Sequence, residues 1–260
     1  MSKRICVLGN SHVAALKDGW TNETKVHADF FGCLKEGMAS FGDIDGKLGP
    51  LDPNAAAFFK SIATTGDFVE PADYDAFVLT GMKFFPNCLF RNYADFATPS
   101  THNHDVARNF VSDATMVDAV WGELNDGMML HTARTLRAKT DAPIFIVWQS
   151  FLSEGLRDIE WRDALYAPIV SNNDGAYVHA IMAQIDQRLV AEGFQVLSQP
   201  EDTIEAGVMT KREYSEGSKQ FREGGGPEHR ALDVFHMNER FGTLCWQTWF
   251  ADSELAEAVQ

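Results

Sequence analysis

The architecture of this chain follows from residues 4–16, which read Arg-Ile-Cys-Val-Leu-Gly-Asn-Ser-His-Val-Ala-Ala-Leu. The first half of this stretch is short and apolar, as in a buried strand, and it ends at Gly9. The second half resumes at Val13 with apolar residues at helical spacing. We therefore predict a strand that ends at Gly9 and a helix that begins near Val13 and is capped by Asn10 or Ser11.

Ser11 and His12 fall in the predicted turn between this strand and this helix. A turn of that kind lies at the carboxyl edge of a sheet, beside helix N–H groups that no carbonyl within the helix accepts. Those N–H groups and the helix dipole stabilise a negatively charged oxygen. The position of Ser11 therefore suits a serine nucleophile.

The composition indicates a folded protein that is not a nucleic-acid or membrane binder. Of the 260 residues, 45% are hydrophobic, which is enough for one large domain, and we predict a single domain over residues 1–260. The net charge of −15 repels polyphosphate backbones and anionic membrane surfaces. No apolar run approaches the roughly 20 residues that span a bilayer, and the first one ends at Gly9, so we expect neither a membrane span nor a secretion signal.

Cysteine and histidine spacing predicts no metal and no cofactor. The four cysteines are far apart and form no CxxC pair, which fits reduced thiols in the cytoplasm better than a zinc knuckle or a disulfide framework. His102, His104 and Asp105 form a cluster that metal sites also use, and we interpret it as a polar loop. The six tryptophans could stack on sugars, but we expect most of them in the core.

The rest of the chain alternates apolar strands with helical stretches. This alternation predicts an α/β fold in which helices cover both faces of a parallel sheet. Ligands of such sheets bind at the carboxyl ends of the strands. Polar, glycine-rich residues 200–230 predict a surface excursion near this edge. Further strands are predicted over 25–31, 75–80, 144–148 and 194–197, and helices over 54–63, 106–139, 176–192 and 239–250.

Asp233 and His236 lie three residues apart, just before the last predicted helix. One turn of chain could bring the carboxylate to one imidazole nitrogen while the other nitrogen faces Ser11. The carboxylate would then orient the imidazole, and the imidazole would take the proton of Ser11. These three residues are the predicted catalytic group.

Gly9-Asn10-Ser11-His12 after a first strand, together with Asp233-x-x-His236 before a last helix, resembles the SGNH or GDSL hydrolase superfamily. The resemblance implies a three-layer α/β/α sandwich with a central parallel sheet, as in flavodoxin. It also implies that Ser11 is the nucleophile and that the last block supplies Asp233 and His236. Asn10 stands where the family more often has aspartate.

The family's oxyanion hole uses the nucleophile's own N–H, a glycine after the second strand and an asparagine after the third. By position these are Ser11 and Gly32, while the family's Gly-x-Asn pattern becomes Gly81-Met82-Lys83. Loss of one donor typically lowers turnover by roughly 100- to 1,000-fold. Lys83 could donate in place of the missing asparagine, Asn87 could reach back, or backbone N–H groups, that of Gly81 included, could suffice.

Four side chains are predicted to contact the substrate: Lys83, His12, Gln149 and Asn87. Gln149 follows the strand predicted over 144–148 and so reaches the same edge of the sheet as Ser11. The leading hypothesis is a cytoplasmic serine esterase that acts on a small ester or an acylated carbohydrate. The alternatives are an O-acyltransferase with the same triad, and a protein that binds an anion or a sugar without catalysis.

Overall fold

The structure is a computed structural model that describes residues 2–21, 25–103, 109–222, 225–252 and 254–259. His104 and Asp105 of the predicted polar loop and Gly224 of the predicted surface excursion lie outside these ranges. The strands are β1 (Lys3–Gly9), β2 (Val26–Gly32), β3 (Phe41–Ile44), β4 (Lys47–Pro50), β5 (Ala76–Thr80), β6 (Phe96–Ala97), β7 (Asn109–Phe110), β8 (Ile144–Val147), β9 (Gln195–Leu197), β10 (Ile204–Glu205) and β11 (Met209–Thr210).

Helices separate most of these strands. They are α1 (Val13–Asp18), α2 (Pro53–Ile62), α3 (Asn87–Asp95), α4 (Asp113–Asn125), α5 (Met128–Arg137), α6 (Glu160–Ser171), α7 (Gly175–Ala191), α8 (Glu239–Asp252) and α9 (Glu254–Ala258). Short 3-10 helices cover Gly37–Ser40, Pro71–Asp73, Glu154–Asp158, Glu201–Thr203 and Arg212–Tyr214. Within the described residues, no helix combines the length and the apolar character that a membrane span requires.

Five parallel strands form the central sheet in the order β2-β1-β5-β8-β9. Their carboxyl ends lie in one row, because Gly9 pairs with Gly32 on one side and with Thr80 on the other. Thr80 in turn pairs with Val147, and Val147 with Leu197. The segments that follow these residues therefore meet at one edge, which confirms the predicted α/β fold with a parallel sheet.

Both faces of the sheet are buried. Along β1, Ile5 and Val7 belong to one apolar cluster, while Cys6 and Leu8 belong to the other. The β1 residues from Ile5 to Gly9 are therefore shielded from water on both faces of the sheet, as expected when helices cover both faces of a parallel sheet.

Helices α1 and α8 pack against each other on one face of the sheet. A Cβ added to Gly242 of α8 would lie 1.8 Å from the Ala15 carbonyl oxygen of α1, so the two backbones are in direct contact. The Trp246 indole N–H donates to the Leu16 carbonyl oxygen at 2.8 Å. This packing brings the chain that precedes α8 to the turn that follows β1.

Three local predictions are corrected by the structure. The described part of the helix predicted over 106–139, residues 109–139, does not form one helix: α4 begins after Ser112, whose hydroxyl accepts the Thr115 N–H, and the chain breaks again at Gly127 before α5. Neither Asn10 nor Ser11 caps α1 with its side chain, because the cap position is His12. Residues 200–230 are not only a surface excursion, since Val208, Met209 and Phe221 are buried.

Candidate active site

The structure brings the three predicted catalytic residues together across 225 positions of sequence. Ser11 Oγ lies 2.8 Å from His236 Nε2. On the other side of the ring, His236 Nδ1 lies 3.0 Å from Asp233 Oδ2 and 3.1 Å from Oδ1. When Nδ1 carries the proton and donates a hydrogen bond to Asp233, the Nε2 lone pair faces the Ser11 hydroxyl, which is the tautomer that a general base requires.

A local turn presents the Asp233 carboxylate to the His236 ring. Asp233 Oδ1 accepts the backbone N–H groups of Phe235 and His236, each at 2.9 Å. Aspartate readily forms such turns, because its short side chain can reach N–H groups two and three residues ahead. The spacing Asp-x-x-His therefore allows a local turn to bring the carboxylate to the imidazole.

The Asp233 carboxylate is held in its ionised form. Burial by itself would raise the pKa of Asp233, but the hydrogen bond and the charge of His236, together with the two backbone N–H groups, lower it well below its usual value. An ionised carboxylate at this position stabilises the imidazolium that forms when His236 takes a proton.

His236 lies between two further imidazoles. The His229 ring stacks on it with centroids 3.9 Å apart and an interplanar angle of 4°, and the His12 ring stacks with centroids 5.1 Å apart. Burial, reinforced by the charge of His236, lowers the pKa of His12 to about 3 and also lowers that of His229. Both flanking rings are therefore neutral at neutral pH and do not repel a protonated His236.

We expect this histidine cluster to make the protein sensitive to acid. A His12 ring that is neutral when folded takes up a proton on unfolding, so the free energy of unfolding falls as the pH drops from about 6.5 toward about 3. Because the pKa of Asp233 is also lowered on folding, the free energy of unfolding falls further below about pH 3.9. Burial raises the pKa of Asp186 to about 6, which opposes the trend between about pH 4 and 6.

Urea unfolding midpoints measured from pH 7 to pH 4.5 test this expectation. His12→Gln should show a shallower loss of stability with falling pH than the wild type. His179→Gln removes an exposed histidine outside the cluster and serves as the control. If the urea unfolding midpoints of His12→Gln and of the wild type fell equally with pH, the assignment of acid sensitivity to His12 would be wrong.

His229, Asp233 and His236 are also the group best suited to a metal ion among the described residues, since their potential ligand atoms lie within 4.8 Å of one another. Two nearly parallel rings, however, direct their nitrogen lone pairs side by side rather than toward one point. Coordination would also displace the Asp233 carboxylate from His236 Nδ1. The arrangement therefore favours proton transfer over metal binding.

The glycines predicted for the oxyanion hole border the Ser11 turn on both sides. A Cβ on Gly32 would lie 2.6 Å from the Gly9 carbonyl oxygen, and one on Gly81 would lie 2.1 Å from Asn10 Oδ1. Gly81 also has φ +73°, a conformation that favours glycine. Both positions lie against the turn as predicted, and their role as oxyanion donors stays a prediction.

Met82 and Lys83 continue the left-handed conformation of Gly81, with φ values of 49° and 61°. Such conformations cost about 1 kcal/mol or more for residues with a side chain and are concentrated at functional sites. The Lys83 ammonium is exposed and lies 2.5 Å from Glu36 Oε1. Lys83 thus forms an ion pair where the family pattern would place an oxyanion donor.

Three of the four predicted substrate contacts line one cleft of about 630 Å³: Lys83, Asn87 and Gln149. Met82 and Phe235 also line it, and they directly follow Gly81 and precede His236 in the chain. The cleft is therefore next to the proposed catalytic group. His12 is not among its lining residues and instead stacks on His236.

Sequence reasoning missed His229. The residue falls in the polar stretch that was interpreted as a surface excursion, yet its Nδ1 lies 3.4 Å from Asp233 Oδ2. The signal that could have identified it is the spacing of four residues between His229 and Asp233. A spacing of four residues outside a helix does not by itself place two side chains together, so the contact depends on the turn around Asp233.

Comparison of the chain with protein-family models, with curated proteins and with solved structures gives no match. The geometry of the site therefore carries the functional argument.

Proposed function

We propose that this protein is a serine esterase of the SGNH type that hydrolyses an O-acyl ester through an acyl-enzyme on Ser11. The observation that supports this proposal is the continuous hydrogen-bonded series from Ser11 Oγ through His236 to Asp233, with distances of 2.8 and 3.0 Å. The strand order of the central sheet, with its second strand outermost and then the first, third, fourth and fifth, is that of flavodoxin-like sheets and supports the same proposal.

The reaction proceeds in two halves. Ser11 Oγ attacks the ester carbonyl carbon while His236 Nε2 takes the hydroxyl proton, and a tetrahedral oxyanion forms. The bond to the alcohol oxygen then breaks, and His236 returns the proton to the departing alcohol. Water, activated by the same imidazole, attacks the acyl-enzyme and releases the acid.

Asp233 and the Ser11 turn support these steps. Asp233 holds the imidazole by hydrogen bonds and stabilises its protonated form. The N–H groups of Ser11, Gly32 and Gly81 are the proposed donors to the oxyanion. An alcohol that replaces water in the second half would make the reaction an acyl transfer, and product analysis in the presence of added alcohol separates the two reactions.

A fluorophosphonate probe tests the proposal directly, because it labels only serines that are activated as nucleophiles. We expect stoichiometric labelling of the wild type, with the modified peptide containing Ser11. Labelling should disappear in Ser11→Ala and persist in Ser150→Ala, which changes a serine at the same edge of the sheet. An unlabelled wild type would contradict esterase chemistry and favour a protein that only binds its ligand.

A further inference from the structure

Arg162 is a partly buried cation beside the proposed catalytic group. It lies in the first turn of α6, and its guanidinium packs over the rings of Trp161 and Phe235 at 4.3 and 4.2 Å from their centroids. Phe235 lines the cleft and immediately precedes His236. The guanidinium is thus held next to the loop that carries the proposed general base.

Among the residues that the structure describes, Arg162 forms no direct ion pair, and its buried Nε has no hydrogen-bond acceptor; the charge of Asp233 acts on it only from a greater distance. By contrast, Arg91, Arg188 and Arg212 each pair with a carboxylate. Acidic residues outnumber basic ones by 37 to 22 in this chain. A half-buried arginine that is left unpaired in so acidic a protein is available for an anion from outside.

Tyr166, one helical turn after Arg162, adds a second unused polar group. Its side chain is buried with 1% exposure, and within the described residues its hydroxyl has no hydrogen-bond partner. Burial raises the pKa of Tyr166 and lowers that of Arg162. This corner of α6 therefore contains a neutral hydroxyl and a guanidinium whose charged form burial disfavours, and an anionic neighbour would stabilise the charge of the guanidinium.

The two cations that line the cleft are already neutralised. Lys83 pairs with Glu36, and Arg91 pairs with Glu123. Arg162 is therefore the cation near the cleft that can add selectivity for a negative charge. Its two aromatic neighbours hold the planar guanidinium in place, which lowers the entropy lost when it binds.

The exposed ring of Trp161 indicates the chemical class of the ligand. The guanidinium covers part of this ring, yet the residue remains 63% exposed. An exposed aromatic surface next to an unpaired guanidinium matches a ligand that combines an apolar or ring-shaped face with a carboxylate.

We propose that Arg162 binds a carboxylate of the substrate, so that the protein acts on esters that carry a negative charge near the acyl bond. This inference rests on the proposed esterase function and narrows its substrate class. A guanidinium binds a carboxylate through two parallel hydrogen bonds, and such charge-assisted pairs are stronger than neutral ones.

Two pairs of esters test the inference, and each pair compares a charged ester with a neutral one. The first pair is mono-4-nitrophenyl glutarate and 4-nitrophenyl butyrate, which place the charge on the acyl group. The second is 4-acetoxybenzoate and its methyl ester, which place it on the alcohol. In at least one pair we expect the wild type to show a kcat/KM about tenfold or more higher for the charged ester.

Arg162→Gln should remove this preference, so that the ratio of kcat/KM for the charged ester to kcat/KM for the neutral ester falls to near unity. Arg157→Gln, which changes an exposed arginine shortly before α6, is the matched control and should retain the preference. Equal kcat/KM values for charged and neutral esters in both pairs, or a preference that survives in Arg162→Gln, would overturn the inference.

Failure of the inference can be distinguished from failure of the proposed function. Titration calorimetry with the unreactive amides N-(4-nitrophenyl)glutaramate and 4-acetamidobenzoate, in the Ser11→Ala background, measures carboxylate binding without any turnover. Binding of one of them that is lost on adding Arg162→Gln supports the anion site even if no ester is hydrolysed. Fluorophosphonate labelling without such binding would instead support the esterase and reject Arg162 as its anion receptor.

Discussion

His236→Ala is expected to lower kcat for p-nitrophenyl acetate by about 10⁴- to 10⁶-fold. The imidazole is the group within hydrogen-bond distance of the Ser11 hydroxyl, at 2.8 Å, and without it the hydroxyl has no base to take its proton. KM should change far less than kcat, because the side chain acts on the proton rather than on the resting substrate. Stopped-time assays of p-nitrophenolate release measure both constants.

The control for this variant is His131→Ala. His131 is an exposed histidine whose Nε2 bonds the Phe41 carbonyl oxygen at 2.8 Å, and it lies on α5, away from the Ser11 turn. Its loss should leave turnover close to that of the wild type. Should His236→Ala retain near wild-type turnover with an intact fold, the assignment of His236 as general base would be wrong.

Gly242→Ala is expected to lower the free energy of unfolding by about 3 kcal/mol, the upper end of the usual cost of overpacking. The new methyl group would lie 1.8 Å from the Ala15 carbonyl oxygen, and backbone atoms cannot move aside as a flexible side chain can. Helices α1 and α8 would have to separate. Urea unfolding monitored by tryptophan fluorescence measures the loss, because Trp246 lies at this contact.

Gly122→Ala is the matched control, since Gly122 also lies within a helix but a Cβ there would meet nothing within 4 Å. Helix propensity predicts that this variant is more stable than the wild type by up to about 1 kcal/mol. Gly242→Ala should also weaken fluorophosphonate labelling, because α1 follows Ser11 and α8 follows His236. If the two glycine variants had equal free energies of unfolding, helices α1 and α8 would separate at a smaller cost than the 1.8 Å distance implies.

Much of the fold was predictable because its signals are local. The apolar stretch before Gly9 forms β1, and the helical spacing from Val13 forms α1. The prediction of helix boundaries failed where helical spacing and helix-ending residues occur in the same stretch. Residues 106–139 have helical character throughout, yet the Ser112 cap and Gly127 divide the stretch into separate helices.

The candidate site shows the same division. Asp233 and His236 were predictable as a pair, because an aspartate turn orients a histidine three residues later. The role proposed for Arg162 was not predictable, since its aromatic neighbour Phe235 lies 73 positions away and its lack of a direct ion pair within the described residues is a property of the packed surface. His229 was missed for a similar reason, as its stacking on His236 depends on the path of the chain between them.

Residue order alone was enough to specify the parallel α/β sheet, the serine on its edge and the aspartate–histidine turn, because each depends on periodicity or on neighbours within one turn of chain. The distance between Ser11 and His236, the stacked imidazoles and the unpaired Arg162 arise only when α1 and α8 pack together and the cleft forms. Contacts between residues more than two hundred positions apart depend on how whole helices fit against the sheet, and steric fit of that kind is not encoded in any short stretch.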